Sequence, residues 1–255
     1  MIMTPPALHA HLPWSRREEF LPLFDELGLG VEIGLTGPDL DRIDAKTSFP
    51  AQLLPPASVT IHAPFNDLNP GAGDPRILEV TRCRLLQTLD IAERTGASLI
   101  VCHPGYEHWR YAGNIDLWLD SCLAFWPELL ERAEQIDCDI ALENVFDTHY
   151  LALQRLLSTL NHPRLGHCFD IGHWFLFSEL SIPEWLDAMG PFLKHLHLHD
   201  NTGKSDAHLP VGEGKIDFER FFSELQRRGL SPSMTLEAHN PKHLKRSRTA
   251  VSSYL

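Results

Sequence analysis

KHLHLHDNTGKSDAHLPVGEGKIDF, residues 194–218, opens on histidines at every second position, His195, His197 and His199. Side chains on a β-strand alternate between its two faces, so this spacing sends all three imidazoles to the same side. That side has to look into something polar. A loop carrying Asp206 and His208 follows, and then Gly212 and Gly214, which let the backbone turn back before Asp217 opens a helix. A histidine-rich strand end followed by Asp-x-His is what a metal site at the mouth of a barrel requires.

On either side of this stretch, short apolar segments alternate with helical patterns, the signature of repeated β-α units and a parallel sheet. The predicted strands cover 8–12, 31–35, 58–65, 97–105, 139–145, 164–173, 193–200 and 233–239. The predicted helices cover 16–27, a weak turn around Pro38, Asp39 and Asp41, then 75–94, 118–133, 151–160, 182–189, 217–228 and 243–254. Eight such units predict an α/β, single-domain (β/α)8 TIM barrel over residues 1–255, and at 255 residues no second domain is required. In that fold, chemistry sits where the strands run out into the following loops.

Those ends carry the same residue types again and again. His62 ends the third strand, His103 the fourth, Glu143 the fifth, Asp170 with His173 the sixth, His197 the seventh and Glu237 the eighth; Asp206 and His208 bring the ligand-type groups to nine. A single histidine is usually a hydrogen-bonded structural residue, and His9 and His11 are read that way. A lone glutamate in an apolar strand is different, because an unpaired buried carboxylate is costly, so Glu143 and Glu237 call for a cation. Beyond the fourth strand, Trp109, Arg110 and Tyr111 are read as a substrate wall, and Trp174 either lines the same pocket or packs. The turn with Arg76 reads as connection, and Lys242, Lys245, Arg246 and Arg248 as a solvated helix face.

Bulk properties narrow the function. A formal charge of −12 argues against a general nucleic-acid binder, whose affinity rests on Lys and Arg. No apolar run approaches the roughly 20 residues of a membrane helix, and the start lacks a basic segment followed by an apolar one, so the expectation is a cytoplasmic chain with no membrane association. Cys83, Cys102, Cys122, Cys138 and Cys168 form no C-x-x-C pair and read as buried small hydrophobes.

The ordered set IHAPF, HPG, ALENV, FDIGH, HLHLHD, DAHLPVGEG and TLEAH resembles the xylose isomerase-like TIM barrels, AP endonuclease family 2. That superfamily includes endonuclease IV and many sugar-phosphate isomerases and epimerases. The resemblance implies a four-ligand core of Glu143, Asp170, His197 and Glu237. The endonuclease IV branch adds five ligands, which fall on His62, His103, His173, Asp206 and His208. On that likeness one ion takes His62, His103 and a shared Glu143, a second takes Glu143, Asp170, His197 and Glu237, and a third takes His173, Asp206 and His208. Zinc suits these ligands best, with manganese or iron as alternatives. Four carboxylates and one hydroxide leave three divalent ions with about one surplus positive charge, which suits a phosphodiester.

The leading expectation is therefore a metal-dependent phosphodiesterase acting on a small or medium-sized diester. The segments HAPFNDLNPG, VCHPGY, ENVFD and LPVGEGKIDF also resemble the cobamide-remodelling phosphodiesterases, which implies a corrinoid substrate. The first rival is a sugar or sugar-phosphate isomerase or epimerase with one divalent ion, in which Glu143 and Glu237 are the catalytic pair that shuttles a proton. An AP endonuclease on DNA is the weaker hydrolytic reading, because the loop TGPDLDRIDAKTS carries acidic as well as basic residues. A barrel that binds a sugar or corrinoid without turnover is the non-enzymatic rival.

Overall fold

Aliphatic and β-branched runs form eight strands: β1 (Leu8–Pro13), β2 (Gly30–Gly34), β3 (Val59–His62), β4 (Leu99–Cys102), β5 (Asp139–Glu143), β6 (Leu165–Asp170), β7 (Leu193–Leu198) and β8 (Ser233–Leu236). In this computed structural model, which describes residues 7–238 and 240–255, they pair in parallel in chain order and β8 returns to β1 to close the barrel. His239, the end of the predicted eighth strand, and residues 1–6, on which the expected lack of a leader partly rested, lie outside the described residues. The helices are α1 (Arg17–Leu27), α2 (Gly37–Arg42), α3 (Pro75–Thr95), α4 (Ile115–Gln135), α5 (Leu151–Leu160), α6 (Ile171–Phe177), α7 (Ile182–Met189), α8 (Phe218–Arg228) and α9 (Pro241–Val251). Among the described residues no helix is long and apolar enough to cross a membrane.

The large apolar side chains lie between strands and helices. In α8, Phe218, Phe221, Phe222 and Leu225 fall at the i, i+3, i+4 and i+7 spacing of one face, and all are buried. Each contributes about 1.5–3 kcal/mol of burial, and Phe221→Ala would cost about 3–5 kcal/mol. The helix starts where the Asp217 side chain accepts from Arg220 N. It stops at Gly229, whose φ of 67° a side chain would resist.

Inside the barrel the residues divide by chemistry. Leu99, Val101, Ala141 and Cys168 make a small apolar cluster of their own on β4, β5 and β6. On the other half, Glu32, Thr60, His195 and Thr235 meet across β2, β3, β7 and β8. This polar half lies directly beneath the candidate site.

Four strands end three residues earlier than the sequence predicts, and β2, β5 and β7 end one or two residues earlier. β3 and β4 stop at His62 and Cys102, ahead of Pro64 and Pro104, which have no N–H to continue a ladder. β6 stops at Asp170, whose side chain turns to accept from His173 N at 2.6 Å. His173 therefore sits in the first turn of α6 rather than on a strand end. β8 stops at Leu236, and His103 and Glu237 stand just past their strands.

Candidate metal centre

β5 delivers Glu143 to the middle of the barrel mouth. Its Oε2 lies 3.2 Å from Nε2 of His62 and 3.2 Å from Nε2 of His103, and its Oε1 lies 3.1 Å from His173 Nδ1. On the far side of that carboxylate stands His197. Its Nδ1 is 3.4 Å from Glu143 Oε1, 3.4 Å from Glu237 Oε1 and 3.7 Å from Asp170 Oδ2. The loop after β7 completes the set: His208 lies 3.0 Å from Asp206 and 3.6 Å from Glu237, and Asp206 lies 3.5 Å from His173 Nε2. The nine residues that sequence reasoning singled out are brought together in one cluster.

Two further residues of the cluster escaped it. His199 is fully buried, with Nε2 3.2 Å from both Asp170 oxygens and 3.7 Å from Glu237, and with Nδ1 3.5 Å from Asp206. The every-second-residue spacing already pointed it inward, but only His197 was given a role. Glu32, fully buried on β2, lies 3.2 Å from His195 and 3.2 Å from His197. A lone glutamate in an apolar strand was the signal that exposed Glu143 and Glu237, and it was present at Glu32 too.

The electrostatics follow from this crowding. Burial alone would raise the carboxyl groups, but His197 and its neighbours hold Glu143 well below the usual range and lower Glu237, and adjacent histidines lower Asp170. Burial alone would neutralise the imidazoles, yet the carboxylates raise His62 and His197, push His208 up to about 9 and push His173 up to about 12. His103 goes the other way, because burial prevails there. Ligand atoms of His62, Glu143 and His197 lie within 4.8 Å of one another, as do those of Asp170, His197 and Glu237 and those of Asp170, His173 and His199. Both ring nitrogens of His197 and Nδ1 of His199 are buried without a hydrogen bond. Oxygen and imidazole donors with such unsatisfied atoms fit a divalent ion, so these residues could hold one.

A cavity of about 1070 Å³ opens above the cluster, with Glu143, Glu237, His62 and His103 among its lining residues. Its walls include Phe65, Ile77, Tyr106, Tyr111, Phe146 and Phe177. Phe65 stacks on His103 at 4.3 Å between ring centroids. Of the predicted walls, Tyr111 lines the cavity, held by Asn69 Nδ2 donating to its hydroxyl at 2.7 Å. Trp109 does not: it is 75% exposed and stands outside the lining, while its neighbour Arg110 lies within it. Trp174 also lies outside the lining, because its Nε1 donates to Leu180 O at 3.0 Å and its ring packs toward Phe169. Asp147 lines the cavity, and burial pushes its carboxyl up to about 7.

Known proteins resemble this chain in sequence and fold. The sequence pattern of the xylose isomerase-like TIM barrel matches residues 51–253. An uncharacterized protein of Methanocaldococcus jannaschii is 28% identical over 204 residues, 77% of this chain and 70% of its own. A fructoselysine 3-epimerase of Escherichia coli O157:H7 is 30% identical over 116 residues, 43% of this chain, which spans only 42% of that relative's length. A probable endonuclease 4 of Mycobacterium leprae is 27% identical over 177 residues, covering 63% of this chain and 66% of its own. The structure of a Thermus thermophilus protein soaked with zinc chloride superposes with a TM-score of 0.78 at 30% identity, over 97% of each chain. With the closed eight-stranded barrel and a match that runs from residue 51 to 253, the chain belongs to the xylose isomerase-like TIM barrel family.

Proposed function

We propose that this chain is a divalent-metal-dependent isomerase or epimerase of a sugar or sugar derivative. One observation carries the reading: Glu143 and Glu237 reach the same imidazole nitrogen, His197 Nδ1, at 3.4 Å each, from β5 and from the end of β8 with two strands between them. A pair of carboxylates approaching one point from two sides is what proton removal and return at a single carbon requires. The fructoselysine 3-epimerase relative supports this choice over the phosphodiesterase that the motifs alone favoured.

Glu143, Asp170, His197 and Glu237 would hold the ion, for which zinc is the first expectation and manganese or iron the alternatives. The ion supplies Lewis acidity toward the oxygens of a bound carbonyl sugar. Either glutamate, ionised because its neighbours lower it, takes the proton from the carbon beside the carbonyl, breaking the C–H bond and forming a carboxyl O–H. The electron pair is held on the carbonyl oxygen as an enediolate. The other glutamate, having taken a proton from solvent, delivers it to the opposite face, which inverts the centre and leaves that glutamate ionised, while the first passes its proton to solvent. His62 and His103, each 3.2 Å from Glu143 Oε2, fix the orientation of that base. Asp147 stands in the wall with a carboxyl raised to about 7, able to donate to a substrate oxygen while protonated.

The experiment is exchange in D2O with a panel of ketoses and their derivatives. The proposal expects one solvent deuterium at the inverted carbon, and a loss of about 10²–10⁴-fold in turnover for Glu143→Gln and for Glu237→Gln. Absence of exchange across the panel, together with cleavage of a generic phosphodiester, would favour the second reading. That reading, metal-dependent phosphodiester hydrolysis with two or three ions, is favoured by the five groups beyond the four-ligand core, His62, His103, His173, Asp206 and His208. In the epimerase reading those groups are not idle: His62, His103 and His173 orient Glu143, His208 orients Glu237, and Asp206 holds His173 and His208.

A further inference from the structure

We infer that Glu32 is the positioning residue of this centre, holding the His197 imidazole with Nε2 toward the barrel interior and Nδ1 toward Glu143, Asp170 and Glu237. The strand register sets the geometry. Glu32 pairs with Thr60, one layer deeper in the barrel than His62, which pairs with Gly34. His197 pairs with Thr235, and its ring, with Nε2 toward Glu32 and Nδ1 toward Glu143, Asp170 and Glu237, lies between Glu32 and the mouth.

The two oxygens of Glu32 divide the work. Oε2 accepts from Thr60 Oγ1 at 3.2 Å and from Thr235 Oγ1 at 2.9 Å, and it lies 3.2 Å from His195 Nε2. Oε1 faces His197 Nε2 at 3.2 Å as its ion-pair partner, and no hydrogen-bond donor competes for it. Both side chains are fully buried, and the ion-pair partners of Glu32 among the described residues are these two histidines. A neutral imidazole has one N–H. With a carboxylate beneath Nε2 the proton stays there, and the Nδ1 lone pair is left for a ligand. Carboxylates behind ligating histidines fix the tautomer and raise the basicity of the ligand. His195 stands beside Oε2: its Nε2 is held by Thr235 Oγ1 at 2.9 Å and its Nδ1 by Ser233 Oγ at 2.7 Å, so it does not compete for Oε1.

The inference rests on metal binding by the four-ligand core proposed above, and not on which reaction follows. It is tested on the full chain, stripped with a chelator and titrated with zinc against a chromophoric competitor. Glu32→Gln is expected to weaken zinc binding by about 10–100-fold, and Glu32→Asp, which keeps the charge one methylene short of His197, to recover part of the loss. Zinc affinity within twofold of wild type in a Glu32→Gln variant with a lowered melting temperature would overturn the inference, because Glu32 would then serve only the fold. Ring-¹⁵N spectra of zinc-loaded wild type give a readout that needs no folded Glu32 variant, with the His197 signal assigned by its loss in His197→Asn. A protonated Nε2 supports the inference, and a protonated Nδ1 overturns it. A wild-type chain that takes up no zinc, manganese or iron overturns both this inference and the proposed function, whereas wild-type uptake with equal uptake by Glu32→Gln overturns this one alone.

Discussion

Gly172 is bare where His199 needs room: a Cβ on Gly172 would lie 2.0 Å from Cε1 of the His199 ring. The glycine, second residue of α6, lets that imidazole slide against the helix, reach both Asp170 oxygens and stack on His208 at 4.0 Å. Gly172→Ala should push the ring out of this slot. The expected cost is about 1–3 kcal/mol of overpacking, read as a lower melting temperature. A displacement of about 1 Å at Asp170 should also lower turnover by on the order of 10²-fold. Full turnover in a destabilised Gly172→Ala chain would show that His199 serves packing alone.

Asp200 organises the loop that carries Asp206 and His208. Its carboxylate accepts from the backbone N–H groups of Asn201, Gly212, Gly214, Lys215 and Ile216 at 2.8–3.2 Å. Gly214 permits this approach, since a Cβ there would lie 2.2 Å from Asp200 Oδ1. Asp200→Asn replaces one accepting oxygen by an amide that faces N–H donors, and hydrogen bonds to a charged group contribute about 1.5–3 kcal/mol. Hydrogen exchange across residues 202–216 should rise and activity should fall, while exchange in β4 and β5 stays unchanged. Protection in the loop equal to wild type would refute this role.

The nine-residue cluster was legible because each member follows from a strand that runs out at the same end of a barrel, and strand order is written in the alternation of apolar runs. Two kinds of information were not written there. The depth of Glu32 depends on the register between β2 and β3, which no local spacing encodes. The walls depend on where individual rings turn: Trp109 follows a strand as Tyr111 does, but only Tyr111 has Asn69 and Gly71 to hold it inward. The helical position of His173 was missed for a related reason, since FDIGH reads as a continuous apolar strand until the Asp170 side chain is seen capping the next helix.

Asp147 should make the metal-free protein less stable as pH rises. Its side chain is only 7% exposed in residue terms, Oδ2 accepts from Val145 N, and Oδ1 has no hydrogen bond. Burial raises the carboxyl from 3.8 to about 7, so between those values the folded chain binds a proton that the unfolded chain does not. Stability from this group is complete below 3.8, declines through the window and is lost above 7, by at most about 4 kcal/mol. Asp147→Asn should therefore gain stability over wild type at pH 8 and lose that advantage at pH 4. Urea midpoints of both proteins at the two pH values check it, and a difference independent of pH would contradict the buried, protonated state.

Zinc uptake should release protons in a number that tells one ion from three. In the metal-free protein the surrounding carboxylates raise His173 to about 12 and His208 to about 9, so both are protonated at pH 7. An imidazole must be neutral to bind zinc, so each of these that becomes a ligand gives up its proton. Binding confined to Glu143, Asp170, His197 and Glu237 uses neither His173 nor His208 as a ligand. Filling of all nine ligands requires both to give up their protons, about two more per chain than the four-ligand core releases, since His103 is lowered and already neutral. In both cases affinity rises with pH, and it does so more steeply in the second. Calorimetry in buffers of different ionisation enthalpy measures the count: one equivalent of zinc with no later release supports the epimerase centre, and a further release of about two protons as more zinc binds would move the weight to the hydrolytic reading.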